Sequence, residues 1–162
     1  HGEPIVIPDG TENVHEEAEI VVVIGRRAKN ISEVDVPSVL FGYTCGNDLT
    51  ARDVQKTDLQ WARAKGFDTF APLGPWIETE LNTEDLQIQG RLNGELRQDG
   101  STSQMIRGVR ELVSIVSQAF TLLPGDVILT GTPSGVGPFV AGDTIEVEIS
   151  GLGTLRNTAR DA

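Results

Sequence analysis

The sequence predicts an α+β domain, rich in strand and carrying one principal helix. Three observations predict it. Short runs that alternate apolar and polar residues recur along the chain, as at 86–92 and 145–149. Asn93-Gly94 is a strong two-residue hairpin signal. Only residues 103–120 sustain a helical period, with Met105, Ile106, Val109, Leu112, Val113, Val116 and Phe120 falling on one face. At 162 residues the chain suits one domain with a proper core, so 1–162 is read as a single domain.

The elements follow in order. Pro4-Ile5-Val6-Ile7-Pro8 is a short extended piece closed by an Asp9-Gly10 turn. Residues 17–24 form a strand that begins charged and ends apolar, with Gly25 closing it. Residues 26–30 are a basic turn. Ser32 is a candidate N-cap with Asp35 three residues on, which predicts a short helix over 36–41 limited by Pro37. Residues 41–48 read as a strand ending in a polar turn, and 50–55 as a loop or one helical turn. A short helix is expected at 57–66, with Leu59 and Trp61 as its apolar members. Asp68, Pro72, Gly74 and Pro75 make 67–76 a loop, followed by a strand at 76–79. The alternating strand 86–92, the Asn93-Gly94 turn and a returning strand at 96–101 form a hairpin. The helix 103–120 ends at a Leu-Leu-Pro-Gly-Asp turn, 122–126. Strands at 127–130, 145–149 and 154–158 close the chain, separated by a Gly/Pro/Ser/Thr loop at 131–137 and turns at 141–144 and 151–153.

Composition narrows the function. The formal net charge is −11, so no basic stripe exists to displace counterions from nucleic acid or to hold an anionic membrane. The longest apolar run, 20–24, is far short of a membrane span. The one cysteine, Cys45, has no internal disulfide partner, which fits a reducing cytoplasm. The chain does not open on Met, and upstream residues are expected.

The chemistry is concentrated in carboxylates. In a strand, residues i and i+2 share a face, which puts Glu17 and Glu19 together about 7 Å apart along the backbone. Taken alone they read as a polar strand start, and Asp48 alone as a turn cap. Together they are three carboxylates from two segments with no cysteine and no histidine pair, the donor set of a hard divalent cation such as Mg²⁺. Lys65, in a glycine-bearing loop, can place a point charge beside a carboxylate or enolate. The 131–137 loop lacks the lysine and spacing of a phosphate-binding P-loop and reads better as a backbone-rich anion pocket with a threonine hydroxyl.

These residues carry a resemblance. Glu17-Ala-Glu19 stands before an apolar strand ending in Gly25. Gly42-Tyr43-Thr44-Cys45-Gly46-Asn47-Asp48-Leu49-Thr50-Ala51-Arg52-Asp53 follows, then Lys65-Gly66-Phe67-Asp68-Thr69-Phe70 with Pro72-Leu73-Gly74-Pro75-Trp76. Asn93-Gly94-Glu95, Leu123-Pro124-Gly125-Asp126-Val127-Ile128 and Thr130-Gly131-Thr132-Pro133-Ser134-Gly135-Val136-Gly137 complete the set. In this order, and over nearly the whole chain, they resemble the catalytic C-terminal domain of the fumarylacetoacetate hydrolase family.

The resemblance implies a mixed β-sandwich or roll. It implies that Glu17, Glu19 and Asp48 hold Mg²⁺, with Mn²⁺ or Ca²⁺ as alternatives, and that Thr69 stands behind that site. Lys65, Arg52 and Gln55 match catalytic or pocket residues, and Thr132, Arg52 and Gln55 match substrate contacts. His15 matches a histidine to which no role is given. The implied activity is on 2-oxo and β-diketo acids through a metal-bound enolate, with C–C bond hydrolysis expected first and decarboxylation or isomerisation as alternatives. A metal-binding pseudoenzyme is the non-catalytic alternative, which intact Lys65, Arg52 and Gln55 oppose. The family's frequent His–Glu pair on an N-terminal lid would lie upstream of His1, and a homodimer is expected.

Overall fold

The structure is a computed structural model and describes residues 1–162. Its axis is strand β3 (Ala18–Ile24), every residue of which is buried. Its apolar run, residues 20–24, is what a strand covered on both faces requires. The other strands are β1 (Ile5–Ile7), β2 (Val14–His15), β4 (Leu40–Asn47), β5 (Thr50–Ala51), β6 (Leu73–Glu78), β7 (Gln87–Leu92), β8 (Glu95–Ser101), β9 (Val127–Leu129), β10 (Thr144–Ile149) and β11 (Gly153–Asp161). One sheet has the order β6-β4-β3-β9 and is antiparallel. The second has the order β1-β11-β10-β7-β8, in which only β1 and β11 run parallel. A short β2–β5 ladder stands apart. The helices are α1 (Arg52–Thr57), α2 (Ala62–Lys65) and α3 (Val109–Ala119).

The two sheets share one core. From β3, Ile20, Val22 and Ile24 point inward with Tyr43 and Cys45 of β4. They meet Ile88 of β7, Val147 and Ile149 of β10 and Leu155 of β11, and Val109 and Val113 of α3 close one end. Each such side chain removed from water contributes about 1.5–3 kcal/mol. This is the β-rich, two-sheet architecture that the sequence led us to expect. A second cluster of Ile5, Val14, Leu49, Ala51, Phe70, Phe139 and Ile145 lies under the β2–β5 ladder and seats the polar end of β3. No helix is long and apolar enough to cross a membrane.

Several elements differ from expectation, each for a local reason. The strand expected from Glu17 begins at Ala18. Glu17 lies in a break between β2 and β3, where its N–H donates to Asn47 Oδ1 and its carbonyl accepts the Asp48 N–H. The helix expected over 103–120 is helical only at Val109–Ala119. Before it, Thr102–Gln104 is a separate 3₁₀ turn closed by a capping box, with Ser101 Oγ accepting the Ser103 N–H and Gln104 Oε1 accepting the Ser101 N–H. That box satisfies the turn locally, Met105 and Gly108 return to extended backbone, and Ile106 is left exposed.

The helix expected at 57–66 is split. Asp58 is extended and takes the Arg63 guanidinium, so α1 stops before it and α2 starts after it. Leu59, expected to pack, is 97% exposed, and Trp61 is exposed as well. Residues 36–41 hold a single 3₁₀ turn, Val36–Ser38, before β4 begins at Leu40. Part of the expected 67–76 loop is strand β6, which is an edge strand and therefore tolerates Pro75. Residues 50–55 divide into β5 and the start of α1.

Candidate metal centre

The polar end of β3 is where the charged residues gather. Ala18 pairs with Asn47, and the chain continues outward as two facing segments, with the Asp48 N–H donating to the Glu17 carbonyl and β2 pairing with β5 beyond. Glu17 and Asp48 are thus cross-strand neighbours, and Glu19 follows two residues along. The three carboxylates each bring an oxygen to within 4.8 Å of the others. Glu17 and Glu19 are buried, at 8% and 3% exposure.

Two cations stand against them. Lys65, at the end of α2, donates from Nζ to Asp48 Oδ2 at 2.5 Å, to Glu17 Oε2 at 3.0 Å and to Thr50 Oγ1 at 3.0 Å. Arg52, at the start of α1, donates from Nη2 to Glu17 Oε1 at 2.5 Å and from Nη1 to Gln55 Oε1 at 3.0 Å. Thr50 Oγ1 in turn donates to the Asp48 carbonyl. The sequence expectation is therefore brought together in space for Glu17, Glu19, Asp48, Lys65, Arg52 and Gln55.

The charges do not balance. Three carboxylates face two cations, and Glu19 is the one with no ion-pair partner. Its only hydrogen-bond donor is the Gly131 N–H, at 2.8 Å from Oε2. Burial pushes the Glu19 carboxyl up to about 7, and the neighbouring charges of Asp48 and Glu17 add to the push. Burial also raises Asp48, against the hydrogen bond from Lys65. Burial would lower the Lys65 pKa, but its bonds to Asp48 and Glu17 outweigh this and raise it, so Lys65 is a fixed positive charge at neutral pH. Each carboxylate keeps lone pairs beyond those used in these bonds. A divalent cation fits the set: it supplies the missing charge to oxygen donors that already converge.

Thr132 lies beside the centre through Gly131. Its hydroxyl donates to the Ala18 carbonyl at 2.9 Å and accepts from Gln98 Nε2 at 2.7 Å, so its single proton is engaged within the protein. Thr69 Oγ1 accepts the Val6 N–H and braces β1. His15 sits on β2 with Nε2 against Asn13 Oδ1, and burial lowers its pKa. His1 is held by β6 and β11, its main-chain nitrogen on the Leu73 carbonyl and its Nδ1 accepting from the Arg156 N–H.

Sequence reading did not single out Thr50, Asn47, Gln98 or the Gly131 N–H. Thr50 carried a usable signal, standing two residues from Asp48 at strand spacing; the others act across sheets or through backbone. Glu16 is also buried, and burial raises its pKa; Arg97 Nη1 is 3.7 Å from its Oε1. The Thr130–Ser134 stretch lines a cavity of about 640 Å³ with Asp99, Ser101, Gln104 and Arg107, which the three carboxylates do not line.

If Glu19 must ionise to bind a cation, affinity depends on pH. With a pKa of about 7, Mn²⁺ affinity is expected to be level above pH 8, about tenfold weaker at pH 6 and about a hundredfold weaker at pH 5. Calorimetry in buffers of differing ionisation enthalpy checks this, because about half a proton should be released per ion bound at pH 7 and about one below pH 6. A pH-independent affinity would mean that Glu19 is not displaced from its proton.

Comparison with known proteins agrees on one family. The family model described as fumarylacetoacetate (FAA) hydrolase C-terminal matches residues 1–160. The crystal structure of 5-carboxymethyl-2-hydroxymuconate delta-isomerase from Mycobacterium smegmatis superposes with a TM-score of 0.98 at 46% identity, covering 99% of this chain and 64% of that one. Fumarylpyruvate hydrolase from Pseudomonas aeruginosa, solved in complex with Mn²⁺ and pyruvate, superposes with a TM-score of 0.92 at 33% identity, covering 99% of this chain and 72% of that one. The mitochondrial oxaloacetate tautomerase fahd2 of Xenopus laevis is 43% identical over 167 residues, covering 96% of this chain and 52% of that protein. The chain spans 59–66% of the length of three curated relatives that are 48–50% identical to it.

Proposed function

Because this chain belongs to the fumarylacetoacetate hydrolase family, whose members include isomerases, hydrolases and tautomerases, we propose that it is a divalent-cation-dependent enzyme that stabilises the enolate of a 2-oxo acid. The observation that carries the reading is the uncompensated carboxylate: Glu19 lies buried beside Glu17 and Asp48, with one cation too few. Glu17, Glu19 and Asp48 would hold Mg²⁺ or Mn²⁺. When bound, the cation supplies Lewis acidity toward the 2-oxo group.

The chain's own residues supply the rest. Lys65 is protonated and fully engaged, so it acts as a fixed positive charge near the developing oxyanion and not as a base. Arg52 braces Glu17 and Gln55 together, leaving the amide of Gln55 and the remaining guanidinium N–H groups to orient substrate carboxylates. Thr132 and its loop form the adjoining wall and are the third proposed substrate contact. Partial burial around Lys65 and Asp48 lowers the local dielectric and strengthens these interactions.

Keto–enol isomerisation asks least of these groups, which stabilise the charge of the enolate while water takes the proton from carbon and returns one to oxygen. C–C bond hydrolysis is the second reading, favoured by the likeness to fumarylpyruvate hydrolase. A product-resolved screen of oxaloacetate, fumarylpyruvate, acylpyruvates and 2-hydroxydiene-dioates with Mg²⁺ or Mn²⁺ separates them. Cation-dependent exchange of the proton next to the 2-oxo group without cleavage supports isomerisation, pyruvate released together with a carboxylic acid supports hydrolysis, and pyruvate with CO₂ from oxaloacetate supports decarboxylation. If no substrate shows cation-dependent turnover, the enzymatic reading of this chain fails. A homodimer is part of the same proposal and is read by sedimentation.

A further inference from the structure

Gln98 is 0% exposed and lies on β8, in the sheet opposite β3. All its polar atoms reach across the core to one place. Oε1 accepts the Ala18 N–H at 3.0 Å, and Nε2 donates to Thr132 Oγ1 at 2.7 Å and to the Pro133 carbonyl at 2.8 Å. Thr132 Oγ1 donates to the Ala18 carbonyl at 2.9 Å, which closes a ring of bonds around Ala18. Ala18 is the residue between Glu17 and Glu19. Thr132 follows Gly131, whose N–H is the sole donor to Glu19.

The ring stands where the sheet ladder stops. β9 pairs with β3 only as far as Leu129 opposite Val21. Beyond that point side chains do the pairing: Thr130 Oγ1 donates to the Ile20 carbonyl, and Gln98 with Thr132 serves both backbone groups of Ala18. The Gly131 N–H is thereby left to turn toward Glu19. Two glycines make room for the arrangement. A Cβ at Gly90 would fall 2.8 Å from Gln98 Oε1, and one at Gly135 would fall 2.1 Å from the Arg97 carbonyl, where φ is also +103°.

We propose that Gln98 is a positioning residue for the cation site, acting through Ala18 and Thr132 to hold Glu17 and Glu19 and the Gly131 N–H in register. This rests on the reading of Glu17, Glu19 and Asp48 as a cation site. Outer hydrogen-bond partners of metal-binding side chains are worth about 10- to 100-fold in affinity. Gln98→Met keeps the length and apolar packing of the side chain and removes all three bonds.

The test is Mn²⁺ affinity at pH 8, measured by titration of free Mn²⁺ in electron paramagnetic resonance, with folding followed by circular dichroism. Gln98→Met is expected to bind Mn²⁺ about 10- to 100-fold more weakly, and Thr132→Val similarly. The double variant is expected to be no worse than the weaker single, because both break the same ring. Leu155→Ala, a core substitution outside the ring, is expected to lower Tm and leave Mn²⁺ affinity unchanged. Wild-type affinity in folded Gln98→Met overturns the proposal, as does an equal loss in Leu155→Ala. Failure of the wild type to bind Mn²⁺ overturns the cation reading and the proposal with it. If Gln98→Met does not fold, Thr132→Val and Thr132→Ser decide. Loss in the first with retention in the second supports the ring, and equal affinity in both overturns it.

Discussion

Replacing Glu19 with glutamine is expected to abolish saturable Mn²⁺ binding while making the metal-free protein more stable at pH 8. The two effects have one origin. Glu19 is buried, unpaired and held by a single backbone donor, and its carboxyl is pushed up to about 7 from an ordinary value of 4.5. The folded state therefore holds this proton more tightly than the unfolded chain does. Glu19 contributes no penalty below pH 4.5, and stability falls as pH rises from there through 7. A displacement of about 2.5 units costs on the order of 3 kcal/mol once the group is charged. Glutamine removes that cost, because it never ionises, and keeps the carbonyl oxygen that accepts the Gly131 N–H. It also removes the negative charge that offsets a cation's dehydration, so affinity should fall by more than about 100-fold. Thermal unfolding at pH 5 and pH 8, with and without Mn²⁺, reads both effects. The variant's stability advantage over the wild type should be small at pH 5 and largest at pH 8, and Mn²⁺ should stabilise only the wild type. A variant that Mn²⁺ stabilises as much as it does the wild type would remove Glu19 from the site.

Lys65→Met is expected to separate binding from turnover. Lys65 spends all three N–H groups on Asp48, Glu17 and Thr50, and its raised pKa keeps it charged. Removing it takes away a positive charge that opposes a second cation, so Mn²⁺ affinity should be retained or increase. The same charge is the one placed to stabilise a developing oxyanion. Its loss should lower kcat by about 10²- to 10³-fold, in the range of one oxyanion-stabilising donor. Methionine preserves most of the aliphatic stem, so packing under α2 is disturbed little. Unchanged kcat on a substrate that the wild type turns over would exclude Lys65 from the reaction, and lost Mn²⁺ binding would mean that it is chiefly a scaffold for the carboxylates.

The parts of this fold that were legible in the sequence are those where one local rule acts alone. The strands at β7 and β10 show period two because one face is buried, and Asn93-Gly94 turns the β7–β8 hairpin with both residues at positive φ. The carboxylates were legible as a set only when the two segments that carry them were read together and in the family-like order of their motifs; taken singly, Glu17 and Glu19 read as a polar strand start and Asp48 as a turn cap. What was not legible depends on contacts between distant segments. Leu59 and Trp61 suggested a helix face, but no neighbouring element comes to cover Leu59, and Asp58 binds Arg63 instead. The helical period at Met105 and Ile106 was overridden by the Ser101–Gln104 capping box. Gln98 lay in the returning strand 96–101 with nothing local to single it out, and only the approach of the second sheet brings it onto Ala18 and Thr132.

The most direct test that Glu17, Glu19 and Asp48 form a cation site is a Mn²⁺ titration of the wild type and of the Glu17→Gln, Glu19→Gln, Asp48→Asn triple variant at pH 8. The expected result is one saturable ion per wild-type chain and none in a folded triple variant, whose remaining Arg52 and Lys65 repel a cation. Saturable binding of equal affinity in both proteins, or no binding by the wild type, would contradict it.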